Sequence, residues 1–409
     1  MLKRFFACER GNYALITAIT MVPLMAAVAG VVDFTGTRND AAKLQHALDA
    51  TALAVGTVYY SGMTDAELRQ LGEKFFVSNM MIPTNQELEV DNVDRVPGFD
   101  ISANQKGQAH FISAASAIHH QGLVGALNWS VRRSSYVKVS PGQPACVLAL
   151  SKTASKAIKI QGSTEISMPG CVVASNSSAP DSAYRGGSAR IEAACVLATG
   201  GAVGFASGSA LECGAPLQHQ YPSFDPLEGI MPPSYTSCQT IHGGNSAAVV
   251  LSPGTYCNRN WDGNIKLDPG VYVLRDIDIK LNGNGSLTGT GVTIFLMGNS
   301  QFTVNGNALI KLSPPSGGDY AGISIFQARG DSSPMIINGT SGSDVSGFIY
   351  APGAPITYTG NSDMSAGGRC LRIVGDTIEM SGNSAVKSDC TAELGGRKVY
   401  AGRIVTLVK

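Results

Sequence analysis

Ile279-Lys280-Leu281-Asn282-Gly283-Asn284 and Phe302-Thr303-Val304-Asn305-Gly306-Asn307 share one plan: apolar, polar, apolar, polar, glycine, asparagine. The plan returns at Ile158-Lys159-Ile160-Gln161-Gly162-Ser163, Ile356-Thr357-Tyr358-Thr359-Gly360-Asn361 and Ile378-Glu379-Met380-Ser381-Gly382-Asn383, with a weaker copy at Ile336-Ile337-Asn338-Gly339-Thr340. The alternation puts the first and third side chains on one buried face of a short strand. The Gly-Asn that follows is turn chemistry, because glycine takes positive φ without steric cost. The later copies start at 279, 302, 336, 356 and 378, giving steps of 23, 34, 20 and 22 residues. A unit of this size cannot bury its apolar face alone and makes a core by stacking on its neighbours. The reading is a parallel β-helix over residues 143–395, with Pro314-Pro315-Ser316-Gly317-Gly318 as a loop inserted in the 34-residue step.

A second motif supports the stack. Val249 to Tyr256 and Ile265 to Tyr272 each run as a strand into Pro-Gly, with a tyrosine two residues beyond the glycine. The Pro-Gly turns the chain and the tyrosine returns inward. This L-x-P-G-x-Y pattern resembles that of pectate-lyase-like β-helices.

Cysteine spacing fits the same unit. Of nine cysteines, Cys8 precedes the long apolar run near the N-terminus and eight follow it. Taken consecutively, Cys146 and Cys171, Cys195 and Cys213, Cys238 and Cys257, and Cys370 and Cys390 are 25, 18, 19 and 20 residues apart. Positions one unit apart lie one strand spacing above each other, about 4.8 Å, close to disulfide reach. Eight cysteines allow about 105 connectivities, and this one is the expectation. An even set beyond an export signal points to an oxidising compartment.

The 409 residues carry 30 basic and 30 acidic side chains, and 15% are charged. That balance lacks the basic footprint of a nucleic-acid binder. The 48 glycines are about 12% of the chain against a usual ~7%, which suits many short strands and tight turns.

Tyr13 to Val32 is a run of 20 uncharged residues. As a helix it reaches about 30 Å, enough to cross a hydrocarbon core. Lys3, Arg4 and Arg10 precede it, and Arg38 and Lys43 follow it beside Asp33 and Asp40. This bias favours a cytoplasmic N-terminus with the bulk outside the cytoplasm. Ala27-Val28-Ala29 has the small-x-small form of a cleavage site. The apolar run continues past it, and Leu44, Leu48, Ala52 and Val55 carry helical spacing onward, so an uncleaved single-pass anchor is the favoured reading. Pro23 is expected to kink that helix. Ala26 and Gly30, four residues apart, leave room for a partner helix to pack closely.

Arg10-Gly11-Asn12, Val32-Asp33-Phe34, Leu44-Gln45, Ala47, Asp49-Ala50 and Ala52-Leu53-Ala54 together resemble the N-terminal segment of TadG-like proteins of the Flp (tight adherence) pilus system. The resemblance implies a bacterial inner-membrane pilus-assembly component whose partners are other pilus or envelope proteins. Prepilin-like relatives carry a glutamate five residues after a cleavable glycine; counted from Gly11, Ile16 stands there, so prepilin processing is not implied. Many TadG-like proteins hold a metal-dependent adhesion motif, and Thr340-Ser341-Gly342-Ser343 resembles it without the leading aspartate.

Between anchor and repeats, Thr64-Asp65-Ala66-Glu67 is a capping box that opens a helix with Leu68, Leu71, Phe75 and Phe76 on its apolar face. Leu88 to Val90, His110 to Ile112, Trp129 to Val131 and Tyr136 to Val139 read as strands. The expected order is a tip, membrane helix and helical extension over 1–60, a small α+β region over 61–142, the β-helix over 143–395 and a strand or tail over 396–409. His119-His120, with His110 nearby, matches no metal spacing and reads as a polar loop.

A β-helix can house a polysaccharide lyase or hydrolase, which needs carboxylates gathered on one outward face. The outward row here, Lys159, Lys280, Thr303, Thr357 and Glu379, is mixed, and Asp276 and Asp278 read as solvated acids on one strand face. No P-loop, nucleophile elbow or zinc signature is present. No enzyme, cofactor or metal is expected. An exported protein that binds or degrades a glycan is the alternative reading.

Overall fold

The computed structural model describes residues 9–59, 63–80, 99–106, 109–121, 128–234, 237–239, 248–257, 260–338, 342–361, 369–390 and 400–408. Two compact units divide the chain, residues 1–140 with 404–409, and residues 141–403.

In the first unit, helix α1 (Glu9–Val58) runs without interruption and holds Pro23 inside it. Its character changes along its length. Ile19, Val22, Leu24, Met25 and Val31 are all exposed, whereas Leu44, Leu48, Ala52 and Val55 are buried. Those four recur every three or four residues, so they share one face. That face shares a core with Leu68 and Phe76 of helix α2 (Asp65–Met80) and with Phe99, Ile101, Ile112 and Val137. The capping box opens α2: the Thr64 amide donates to Glu67 Oε2 at 2.9 Å, and the Glu67 amide donates to Thr64 Oγ1 at 3.3 Å. Strands β1 (Asp100–Lys106), β2 (Ala109–Gln121) and β3 (Asn128–Ala149) pair antiparallel in sequence order.

Two expectations change here. His119 and His120 lie on β2, not in a loop, because the β2–β3 ladder extends to Gln121 opposite Asn128. Trp129–Val131 and Tyr136–Val139 belong to one strand, β3. The strand expected at Leu88–Val90 lies outside the described residues, as do Thr340 and Ser341 of the adhesion-like stretch.

The second unit is built from three sheets whose paired strands run parallel. The hexapeptide copies form one of them. Ile279 pairs with Phe302, Phe302 with Met335, Met335 with Ile356, Ile356 with Ile378, and Ile378 with Ile158. The weak copy therefore starts at Met335, one residue before the expected Ile336: Met335 and Ile337 are buried and Ile336 faces outward. The chain visits the sheets in rotation. Asn264–Leu267 joins the second sheet, Gly270–Arg275 the first and Ile279–Leu281 the third, and then Ser286–Thr290, Val292–Met297 and Phe302–Asn305 repeat the round.

Sheet order departs from chain order at one place. Leu371–Gly375 pairs with β3 through Ile373–Val147 and Val374–Leu148, and Ile378–Met380 pairs with Ile158–Ile160. Residues 145–211 therefore continue the sheets beyond residues 371–380, although they precede them in the chain. The polypeptide enters mid-sheet and runs to an edge strand at Ser209–Leu211. It then returns to the opposite edge at Cys238–Gln239. Ten strand spacings separate those edges along the first sheet, about 48 Å at ~4.8 Å each, well within reach of residues 212–237.

That returning segment explains a difference in pattern. Strands of the third sheet alternate in burial, as in Ile279–Leu281 and Ile378–Met380. Ile323–Gln327, Gly347–Ala351 and Leu371–Gly375 in the first sheet are buried at every residue, as a sheet covered on both faces requires. One face joins the interior core. On the other, Leu227 and Ile230 pack with Phe295, Phe326, Phe348 and Tyr350.

The Pro-Gly-x-Tyr turns are fixed by tyrosine. The Tyr272 hydroxyl meets the carbonyls of Leu251 and Asp268 at 2.7 Å each, and Tyr256 donates to Ser252 at 2.6 Å. Gly270 has φ 145°, and a Cβ there would fall 2.3 Å from Pro253 Cγ. Trp261 stands edge-on to both tyrosine rings. Tyr272→Phe removes the one hydroxyl proton shared between these carbonyls, of which Leu251 keeps the Asp268 amide at 3.0 Å, and is expected to cost about 1 kcal/mol, read as a lowered midpoint in thermal unfolding of the detergent-solubilised full chain.

Candidate anchor and contact surface

The exposed half of α1 is an apolar cylinder with its polar atoms satisfied locally. Thr20 Oγ1 donates to the Ile16 carbonyl and Thr35 Oγ1 to the Val31 carbonyl, each at 2.9 Å, which suits a segment surrounded by hydrocarbon. The stretch Ile16–Val58 contains a window long and apolar enough to cross a membrane. Ala26 and Gly30 sit on this exposed part, and a Cβ added at Gly30 meets nothing within 4 Å.

On the second unit the outward charges of the repeat row are engaged. Lys159 Nζ lies 3.0 Å from Glu379 Oε1 on the adjacent strand, and Lys280 Nζ lies 2.8 Å from Asp278. Asp276 and Asp278 do not share a strand face. They occupy the turn between Gly270–Arg275 and Ile279–Leu281, where Asp276 has φ 53°. Each accepts an amide from the next round: Asn299 at 3.3 Å and Gln301 at 2.9 Å. Burial pushes the Asp278 carboxyl up, but hydrogen bonds from Lys280 and the Gln301 amide outweigh it and hold the group below the usual carboxylate range.

The returning segment is held at both flanks. The Asn176 side chain exchanges two hydrogen bonds with the backbone of Ser223, at 2.9 and 2.7 Å. The Tyr350 hydroxyl meets Asp225 Oδ2 at 2.6 Å, and Arg329 lies 3.7 Å from the same carboxylate. Burial and the neighbouring Asp225 charge push the Tyr350 hydroxyl up. Arg403 lies over the Phe224 ring, and burial pulls its guanidinium down to about 10.

A shallow groove of about 340 Å³ is lined by Glu165, Ser167, Arg190, Glu192, Ser209 and Ala210. Glu165 is paired in register with Arg190, and Ser167 Oγ donates to Glu192 at 2.7 Å. Sequence reading did not single these residues out. Their one signal is the alternation in Glu165-Ile166-Ser167 and Arg190-Ile191-Glu192, which places the polar residues outward.

Cys146 is bonded to Cys171, Cys195 to Cys213, Cys238 to Cys257 and Cys370 to Cys390, with Cα separations of 5.5, 5.4, 5.6 and 4.4 Å. The sulfurs of Cys146, Cys171 and Cys390 lie within 4.8 Å of one another. Each is held in a disulfide, which leaves no thiolate to ligate a metal.

Residues 11–58 match the family described as Putative Flp pilus-assembly TadE/G-like, and residues 234–393 match the family described as Domain of unknown function (DUF7305). No curated protein and no solved structure matches the chain. The first match coincides with α1. The second takes in the strands from Cys238 to Lys387 and omits residues 141–211, which complete the same sheets.

Because the folded Asp278 carboxyl titrates below its ordinary value of about 3.9, it adds stability above that pH and loses it as pH falls further. Thermal midpoints measured from pH 5 to 2 are expected to fall less steeply below about pH 4 in Asp278→Asn than in the wild type.

Proposed function

We propose that this protein is a single-pass, membrane-anchored structural component of a Flp (Tad) pilus-assembly system, with a non-catalytic contact domain outside the cytoplasm. One observation carries the reading. The stretch matched to the TadE/G-like family is a helix whose first half is bare and apolar and whose second half is packed into a folded unit. The helix runs unbroken through Ala27-Val28-Ala29 into that packed half, which favours retention of the whole segment over cleavage there. Four disulfides accord with an oxidising compartment, and the basic residues before the span favour a cytoplasmic N-terminus in the inner membrane.

The three parallel sheets visited in rotation support a parallel β-helix for the second unit, its rounds fixed by disulfides and by side-chain caps such as Asp278. Such a stack offers a stiff surface to pilus or envelope proteins. Its outward carboxylates at Glu379 and Asp278 are engaged by lysines and amides, which favours a scaffold over polysaccharide chemistry and gives a glycan partner no support. In the membrane, Ala26 and Gly30 form the face where a partner helix packs.

Deleting the gene is expected to abolish surface pili; undiminished piliation sinks the proposal. Gly30→Leu is expected to leave membrane insertion intact and to reduce recovery of pilus-assembly proteins co-purified with the full chain at least about tenfold, a loss of about 1.4 kcal/mol in helix association.

A further inference from the structure

Two of the four disulfides touch each other at the place where sheet order departs from chain order. Cys146 Sγ lies 3.5 Å from Cys390 Sγ, although the two belong to different bonds. Cys146 precedes the β3 residues Val147 to Ala149, and Cys370 precedes the strand Leu371–Gly375 that pairs with them. Ser388 Oγ reaches both sulfurs, at 3.3 Å from Cys390 and 3.8 Å from Cys146, and is held by the amide and carbonyl of Leu371 at 2.9 and 2.8 Å. Cys146, Cys171 and Cys370 are buried, and Cys390 is partly exposed.

We propose that these four cysteines form one exchange-coupled set, in which a Cys146–Cys390 bond replaces the two local disulfides when a dithiol reductant acts. The dithiol attacks the partly exposed Cys370–Cys390 bond, is itself oxidised to a disulfide and leaves two thiols. Cys390 gives up its proton, and its thiolate attacks Cys146 Sγ. The Cys146–Cys171 bond breaks, the Cys146–Cys390 bond forms, and Cys171 leaves as a thiolate that takes up a proton. The hydroxyl of Ser388, donated to the Leu371 carbonyl in the resting state, lies close enough to turn its proton to the thiolate at Cys390.

The consequence is topological. Both resting bonds are local: Cys146–Cys171 lies within residues 141–211 and Cys370–Cys390 within residues 238–390. The exchanged bond joins the two segments across the seam, which is otherwise held by strand pairing such as Ile373–Val147 and Ile378–Ile158. Cys195–Cys213 and Cys238–Cys257 have no second disulfide within bonding reach among the described sulfurs, so they serve as internal controls. The inference rests on sulfur geometry and is independent of the pilus reading.

The test is partial reduction of the full chain in detergent with dithiothreitol at pH 8, quenched with N-ethylmaleimide and mapped as non-reduced peptides. The expected product links the Cys146 and Cys390 peptides, with Cys171 and Cys370 alkylated and the two control bonds intact. Cys370→Ser, which leaves Cys390 unbonded, is expected to give the same link as its major form without added reductant. Reduction that leaves only Cys146–Cys171 or only Cys370–Cys390, with no linked peptide at any stage, overturns the proposal. So does a Cys370→Ser protein in which Cys390 is fully alkylated beside an intact Cys146–Cys171.

Discussion

A strand of three residues cannot satisfy its own amides, and almost everything in the larger unit follows from that constraint. Ile356–Tyr358, Ile378–Met380 and Ile158–Ile160 each have parallel neighbours on both sides, so their backbone groups are paired only while the whole ladder stands. Side chains follow the ladder: each apolar residue sits above its counterpart one round away, as Ile279 does with Phe302. The residues that leave the ladder, at Pro-Gly turns and aspartate-bearing corners, are tied to the adjacent round by Tyr272, Asp276 and Asp278. Order is thus passed from one round to the next, and the edges need separate provision.

Much of this was legible because one sheet shows water one of its faces. There the period of two survives in the sequence, and the six copies supply six of that sheet's eight strands with only the Met335 register displaced. The first sheet wrote no such signal. With Leu227 and Ile230 on its outer side, its strands became uniform apolar runs, and periodicity cannot assign them. The returning segment reads as loop because its prolines, serines and glycines outnumber its few anchors. Asn176 and Arg329, which hold it, are distant in sequence. Nor was the swapped order visible, since similar copies carry no mark of which neighbour they stack on.

The membrane-proximal part shows the opposite balance. Helical spacing at Leu44, Leu48, Ala52 and Val55 and the Thr64–Glu67 box marked two helices correctly, because each signal is local. The histidines of β2 misled for a related reason. Polar residues in a row suggest a loop when the length of the ladder beside them is unknown, and β2 pairs with β3 for twelve residues. The groove by Glu165 and Glu192 was missed because its residues meet only through register.

The placement of residues 145–211 has a consequence for biogenesis. During synthesis this portion is made before the rest of its unit, yet the strand that completes its inner edge, Leu371–Gly375, follows more than two hundred residues later. In that interval β3 offers unpaired amides and carbonyls to any passing strand, the usual route to aggregation. Cys146–Cys171 and Cys195–Cys213 close within the early portion, so oxidation is able to hold its rounds together while the edge waits. Folding of this unit therefore requires one raw margin to stay shielded until synthesis is nearly finished, while early closure of those two bonds keeps the first rounds in register.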